Sequence, residues 1–243
     1  MKNILWILLL FTAGFPAQPD AVEILERIDN NKDAKNRVMQ SKMVVHDRRA
    51  TRTIVSKTWM RGREDAFTEY LAPAREKGTK MLKLGDQLWT YSPSSDRTIR
   101  ISGHMLRQSV MGSDLSYEDM MQDPRLSNLY TPTVMGEETQ LDRPCWKLEL
   151  TAKQDDIAYA RRIIWVDKER DVVLEEQRFA KSGKLLKTMQ VHSVVRMDAR
   201  WVIEHATFKD ELKNGEGTEF YVDEIEFDAD IPEYLFSKSG LRR

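Results

Sequence analysis

The sequence has little of what catalysis and metal binding usually need. Its 243 residues include one cysteine, Cys145, and four histidines. A single cysteine excludes a disulfide within the chain and any zinc or iron–sulfur site built from several cysteines. Basic and acidic residues number 38 and 39, which gives a net charge of −1. This balance argues against a nucleic-acid-binding protein, which needs an excess of positive charge to neutralise phosphates.

Catalytic motifs are also missing from the sequence. It has no Ser/His/Asp cluster, phosphate-binding loop, HExxH helix or paired CxxC motif. We interpret Cys145 as a buried free cysteine. His192 and His205 are expected to be neighbours on adjacent strands, but no third metal ligand accompanies them. The sequence therefore predicts a protein that is not an enzyme, with no catalytic residues, no metal and no cofactor.

The one long apolar run lies at the N-terminus. Lys2 precedes the apolar residues 4–11, and small residues follow up to Ala17. This layout is typical of a secretory signal peptide, and the run is shorter than the roughly 20 residues that span a bilayer. We expect a signal peptide over residues 1–17, with cleavage between residues 17 and 21; an uncleaved anchor is the alternative. No cysteine follows that could be acylated, so a soluble periplasmic protein is predicted.

The rest of the chain is dominated by residues that alternate between apolar and polar. Twelve segments show this period of two, and short polar turns separate them. They are residues 38–45, 51–60, 65–71, 78–84, 87–91, 97–101, 145–151, 160–167, 172–179, 185–195, 201–209 and 218–227. Such a long antiparallel meander predicts a curved sheet or barrel, because a flat sheet of this width leaves costly edges. We expect one domain over residues 18–243.

Two segments have helical spacing instead. Residues 22–28 form an opening helix that Asp20 can cap. Residues 104–123 predict two short helices, the second capped by Ser116 with Asp119 three residues later. This second segment is rich in methionine, an adaptable apolar residue that suits variable partners. We expect it to form a lid over one mouth of the sheet.

A curved sheet with a methionine-rich lid can enclose an apolar ligand. The alternative is that the lid residues only plug the core. For the first case, candidate cavity and lid residues are Trp59, Trp89, Tyr91, Met105, Leu106, Val110, Met111 and Leu115.

Three stretches of the sequence resemble a known family. They run from Glu69 to Leu82, from Leu88 to Pro93, and from Met111 to Met120. They are similar to the LolA-like outer-membrane lipoprotein-sorting proteins, in particular to the broad branch outside the dedicated lipoprotein chaperone. The resemblance covers essentially the whole mature chain.

That resemblance implies an α+β fold that is mainly β: a strongly curved antiparallel sheet, forming an unclosed β-barrel, covered by helices. It also implies a non-enzymatic role, in which the concavity holds the acyl chains of lipoproteins or glycolipids, and an association with inner-membrane exporters of the RND type. The sequence departs from the family in two respects. No arginine can be matched to the residue that clamps the lid in the dedicated carrier, and the lipidation cysteine of the membrane-anchored acceptor partner is missing.

Two functions from different classes are therefore open. The first is a periplasmic carrier for a lipoprotein or other lipidic ligand, monomeric, with transient membrane contact. The second is a non-catalytic interaction or sensor module that docks on an inner-membrane transporter or signalling protein. Nucleic acid is not expected as a partner of either.

Overall fold

The computed structural model describes residues 19–46, 50–121 and 125–243, and the predicted signal peptide lies outside them. In this part of the chain, 13 strands form one antiparallel sheet. The strands are β1 (Asn36–His46), β2 (Thr51–Arg61), β3 (Asp65–Ala72), β4 (Lys80–Leu84), β5 (Gln87–Ser92), β6 (Arg97–Ile101), β7 (Tyr130–Gln140), β8 (Arg143–Ala152), β9 (Arg161–Asp167), β10 (Val173–Phe179), β11 (Leu185–Met197), β12 (Arg200–Asp210) and β13 (Thr218–Phe227). The α-helices are α1 (Ala21–Asn31), α2 (Tyr117–Met121) and α3 (Leu126–Leu129). Among the residues described, no helix is long and apolar enough to cross a membrane.

The strand order shows that the sheet does not close into a barrel. It runs β6-β5-β4-β3-β2-β1-β13-β12-β11-β10-β9-β8-β7, so only the β1–β13 pair joins strands that are distant in sequence. Strands β6 and β7 are the two edges. The chain between them crosses from one edge of the sheet to the other, and the segment predicted as a lid therefore lies over one face. The predicted mainly β, curved and unclosed fold is confirmed.

All twelve predicted strands are present, but β7 was missed. Its sequence contains Pro132, Gly136 and two successive glutamates, which hide the period of two. Proline cannot donate a hydrogen bond to a neighbouring strand and is tolerated at the edge of a sheet. Charged residues at an edge also discourage pairing with other chains. The features that concealed β7 are thus those that suit it to its position.

Helix α1 packs on one face of the sheet, which we call the inner face. Asp20 accepts a hydrogen bond from the Val22 amide at 2.9 Å, as the sequence predicted. Ile24, Leu25 and Ile28 are fully buried in an apolar cluster that also contains residues of strands β7 to β12 and of helix α3. Burial of this apolar stripe holds a helix of this length in place.

The lid also lies on the inner face, nearer to strands β1 to β6. It contains two short 3₁₀ helices, Gly103–Arg107 and Val110–Gly112, followed by α2. The Ser116 amide donates to Asp119 at 2.9 Å, and the Asp119 amide donates to the Ser116 hydroxyl at 3.1 Å. This reciprocal pair is the predicted cap of the second helix.

The opposite, outer face is covered by the end of the chain. Residues 229–243, which we call the C-terminal segment, pack on Phe67, Leu82 and Trp89. The side chain of Arg61 joins the two by an ion pair with Glu233 at 2.5 Å. The sheet therefore has two separate apolar faces, and the inner one borders a cavity.

Candidate ligand-binding cavity

A cavity of about 440 Å³ lies between the inner face, helix α1 and the lid. Its lining is mostly apolar and comes from strands β1, β2 and β9 to β13 as well as from the helices. The apolar lining residues are Ile28, Met39, Met60, Leu115, Met120, Leu126, Ile164, Val172, Val173, Met189, Trp201, Val202, Ile203, Phe208, Phe220, Ile225 and Phe227. Four of these are methionines, so the wall can adapt to ligands of different shape.

Two aromatic residues form the floor of the cavity. Phe208 and Phe220 lie on the neighbouring strands β12 and β13, and their rings meet edge to face with centroids 6.2 Å apart. Phe208 contacts both the apolar cluster under α1 and the cluster under the lid. The floor therefore joins the two halves of the inner core.

One wall of the cavity is charged. The Asp119 side chain is 1% exposed and accepts from Tyr159 at 2.6 Å and from Arg178 at 3.0 Å. It also forms an ion pair with Lys187 at 2.5 Å. Burial alone would raise the pKa of the Asp119 carboxyl, but Arg178 and Lys187 outweigh it and lower this pKa strongly. Asp119 is therefore a carboxylate that fastens α2 to β10 and β11.

The same network continues deeper, along β9 and β10. Glu176 accepts from Arg178 at 2.7 Å and from Arg162 at 3.0 Å. Burial alone would raise the pKa of Glu176, yet the two arginines lower it to about 2. Arg162 also donates to the Tyr130 hydroxyl at 2.9 Å. Each acid is thus matched by more than one cation, and the charges of this wall hold the fold together.

Further contacts tie the middle of the lid to the sheet. The Asp114 carboxylate accepts from the Thr218 hydroxyl at 2.8 Å and from the Asp210 amide at 3.0 Å. Arg52 donates to the Met111 carbonyl at 3.2 Å. From the sequence alone, no arginine matches the residue that clamps the lid in the family's dedicated carrier. In the fold, Arg52 and Arg178 both bind the lid. Neither could be found by spacing, since each lies more than 55 positions from its partner.

The structure separates the eight candidate residues into three groups. Leu115 lines the cavity. Met105, Leu106, Val110 and Met111 pack around the core between the lid and strands β1 to β6 and do not line the cavity.

Trp59, Trp89 and Tyr91 lie on the outer face, with the residues that the C-terminal segment covers. Side chains alternate between the faces of a strand, so a shift of one position moves a residue to the other side of the sheet. The residues of β1 and β2 that line the cavity are Met39 and Met60, each next to a residue of the opposite face. The sequence shows the alternation but not which face will be covered by which segment.

The structure also shows where the two neighbouring histidines and Cys145 lie. His192 and His205 are neighbours, with ring centroids 4.5 Å apart, as predicted. Glu219 accepts from His205 at 3.0 Å on the outer face. No group of three or more ligands suited to a metal ion occurs among residues 19–46, 50–121 and 125–243. Cys145 is buried, and burial raises the pKa of its thiol.

Comparison with protein families gives one match over most of the chain. A family model described as "Uncharacterized protein" matches residues 62–243, which is 182 of the 243 residues. The chain belongs to this family. A search of curated proteins found no significant match.

Solved structures show the fold class directly. An outer membrane lipoprotein-sorting protein domain from Vibrio parahaemolyticus superposes with a TM-score of 0.81 at 20% identity, over 92% of this chain and 98% of that one. A DUF1329 family protein from Desulfovibrio piger gives 0.82 at 24% identity, over 91% and 97%. A LolA superfamily protein from Nitrosomonas europaea gives 0.73 at 23% identity, over 92% and 100%. The fold is LolA-like, and the resemblance stated from the sequence is confirmed at this level.

Proposed function

We propose that the protein is a carrier that binds a lipoprotein or another acylated, lipidic ligand in the cavity beneath its lid. The observation that supports this most is the cavity itself, with its mainly apolar lining. Small-molecule sites are typically concave and apolar with a few placed polar groups. The fold shared with a lipoprotein-sorting domain and the predicted signal peptide agree with a role in the bacterial periplasm, without catalysis.

The size of the cavity limits the amount of lipid that it holds. A water molecule occupies about 30 Å³ in the liquid, and a methylene group is similar in size, so 440 Å³ takes about 15 such groups. This corresponds to one acyl chain in the closed form. Each buried methylene contributes about 0.8 kcal/mol, so one chain suffices for tight binding.

The proposal is tested by mass spectrometry of lipids extracted from the protein after purification without detergent. We expect a defined lipid in near-stoichiometric amount. In the variant Met39→Asp, a charge enters the cavity wall and the lipid should fall at least tenfold, because burying an unpaired carboxylate is costly. Met135→Asp is the matched control, since Met135 lies in a strand and is 51% exposed; its lipid content should not change.

Two results would contradict the carrier proposal. One is equal lipid content in Met39→Asp and Met135→Asp while both remain folded by circular dichroism. The other is a wild-type protein that is empty and takes up no lipid in vitro. The second result favours the interaction or sensor module, for which crosslinking in intact cells should capture an inner-membrane transporter or signalling protein.

A further inference from the structure

The sheet is split between β12 and β13. Strand β13 is paired with β1 through nine residue pairs, from Val45↔Thr218 to Arg37↔Phe227. Strand β12 is paired with β11 through ten residue pairs. Between β12 and β13 there are only four, which end at His205↔Tyr221. Beyond that pair, residues 200–204 of β12 and 222–227 of β13 do not pair with each other.

Irregularities on both sides explain why the strands part here. The register of β13 against β1 shifts between Gln40 and Ser41, so Asp223 is an extra residue of β13 that is not paired with any residue of β1 in the ladder. The pairing of β12 with β11 is irregular at Ser193, where His192 of β11 and Glu204 of β12 are both left out of the ladder. A bulge bends its strand and increases the local twist. The bulge in β13 and the irregularity in β12 both lie next to His205↔Tyr221, the last pair before the two strands part.

The cavity lies behind this split. Residues from both unpaired segments line it: Trp201, Val202 and Ile203 of β12, and Ile225 and Phe227 of β13. Three successive residues of β12 contribute, although only alternate residues of a strand inside a sheet can face one side. The cavity therefore borders the segment of β12 that does not pair with β13.

The two ends of the split are held together by side chains. At the end next to the four residue pairs, the rings of His205 and Tyr221 stack with centroids 4.0 Å apart. At the other end, where β12 begins and β13 ends, the Arg200 guanidinium lies 4.6 Å from the centroid of the Phe227 ring. Between these two contacts, the rims carry cavity-lining apolar residues such as Ile203 and Ile225, and on the outer side Glu224 and Asp223, which forms an ion pair with Lys42 at 3.1 Å. The split is thus a bounded slot with a polar exterior and an apolar interior.

We propose that this slot is a lateral entrance to the cavity, through which the apolar chain of an amphiphile passes while its polar part remains outside. The inference rests on the proposed carrier function. A cavity for one acyl chain cannot enclose the polypeptide of a lipidated protein, so part of such a ligand must stay in solvent. The slot lets the chain enter without breaking the buried ion pairs that hold α2, which would be costly.

The test bridges the slot and measures ligand exchange. Val202 and Glu224 lie on opposite rims, at positions that would pair if the register of β12 and β13 continued. In the double variant Val202→Cys, Glu224→Cys, a bifunctional thiosulfonate joins the rims reversibly. Association and dissociation of a fluorescent long-chain fatty acid are followed by stopped flow. Bridging should slow both rates at least tenfold relative to the unbridged double variant, and reduction should restore them.

The matched control is Gln190→Cys, Thr207→Cys, because these residues are already paired between β11 and β12. Bridging there should leave both rates unchanged. Equal rates before and after bridging of the Val202–Glu224 pair would overturn the lateral entrance. A weaker Kd with an unchanged association rate would also overturn it, since that result describes a cavity wall. If the unbridged protein binds no fatty acid, the carrier function itself is contradicted.

Discussion

Asp119 shows how one side chain acquires its role from residues far away in the sequence. Locally it belongs to the cap of α2, together with Ser116. In the fold it also contacts Tyr159, Arg178 and Lys187, which lie on or before strands β9 to β11. A carboxylate that is 1% exposed and matched by two cations links the lid to the sheet.

We expect Asp119→Asn to lower the free energy of unfolding by about 3 kcal/mol, because removing one partner leaves buried charges without compensation. Urea denaturation measures this change. Asp155→Asn is the control: its ion pair with Lys181 is exposed, and exposed pairs contribute little. Similar midpoints for Asp119→Asn and the wild type would contradict a stabilising role of this residue.

At the scale of elements, the C-terminal segment docks at a point where it has no room for a side chain. A Cβ atom on Gly240 would lie 2.5 Å from the Tyr234 carbonyl oxygen and 3.3 Å from the Leu235 Cα. Gly240 therefore allows the two 3₁₀ turns of the segment, Glu233–Phe236 and Gly240–Arg242, to approach each other. Their packing places Leu235, Phe236 and Leu241 on the outer face of the sheet.

Gly240→Ala should loosen this segment while the inner face stays intact. Forcing a methyl group into a packed site costs about 1–3 kcal/mol. We expect faster hydrogen exchange of the amides of residues 229–243 and unchanged exchange in α1. Ser239→Ala, at the neighbouring exposed position, should exchange like the wild type. Uniformly faster exchange in all strands of the Gly240→Ala protein would show instead that the segment is not a separate unit.

At the scale of the whole molecule, the inner face combines an apolar cavity with a buried network of charges. Glu176 and Asp119 must be ionised to balance Arg162, Arg178 and Lys187. Both carboxyls have a lower pKa in the folded protein than in the unfolded chain. The folded state is therefore favoured where both are deprotonated.

This predicts a defined loss of stability in acid. For Glu176, the pKa falls from 4.5 to about 2 on folding, so its contribution is complete above pH 4.5. It is lost as the pH falls from about 4.5 towards 2, and amounts to about 3 kcal/mol. Thermal unfolding at a series of pH values should show Tm falling steeply over this range. In Glu176→Gln the fall should be shallower; an equally steep fall would exclude Glu176 as its source.

Most of the fold could be predicted from the sequence because the alternation of apolar and polar residues that indicates a strand is a local pattern. Alternation with a period of two located twelve strands, and a polar residue before an apolar stripe located α1 and its cap. The exception, β7, is an edge strand whose proline and glutamates remove the pattern. The number of strands predicted a curved sheet or barrel, and the resemblance to LolA-like proteins specified an unclosed one covered by helices.

The cavity residues could not be predicted to the same extent. Trp59 and Trp89 alternate as strand residues should, but alternation alone does not say which face meets the lid and which the C-terminal segment. Met39 and Met60, one position away from residues of the outer face, line the cavity instead. The choice depends on where distant segments pack, so it is made only in the folded chain.

By itself, the sequence determined the period of the backbone, the positions of most turns and the scarcity of groups for catalysis, because these depend on neighbouring residues. The tertiary structure decided the rest. It brought Asp119 to Arg178 and Lys187, placed the C-terminal segment over one face, and ended the pairing of β12 with β13 at His205↔Tyr221. Each of these outcomes requires contacts between residues far apart in the chain, and such contacts exist only when the sheet has formed.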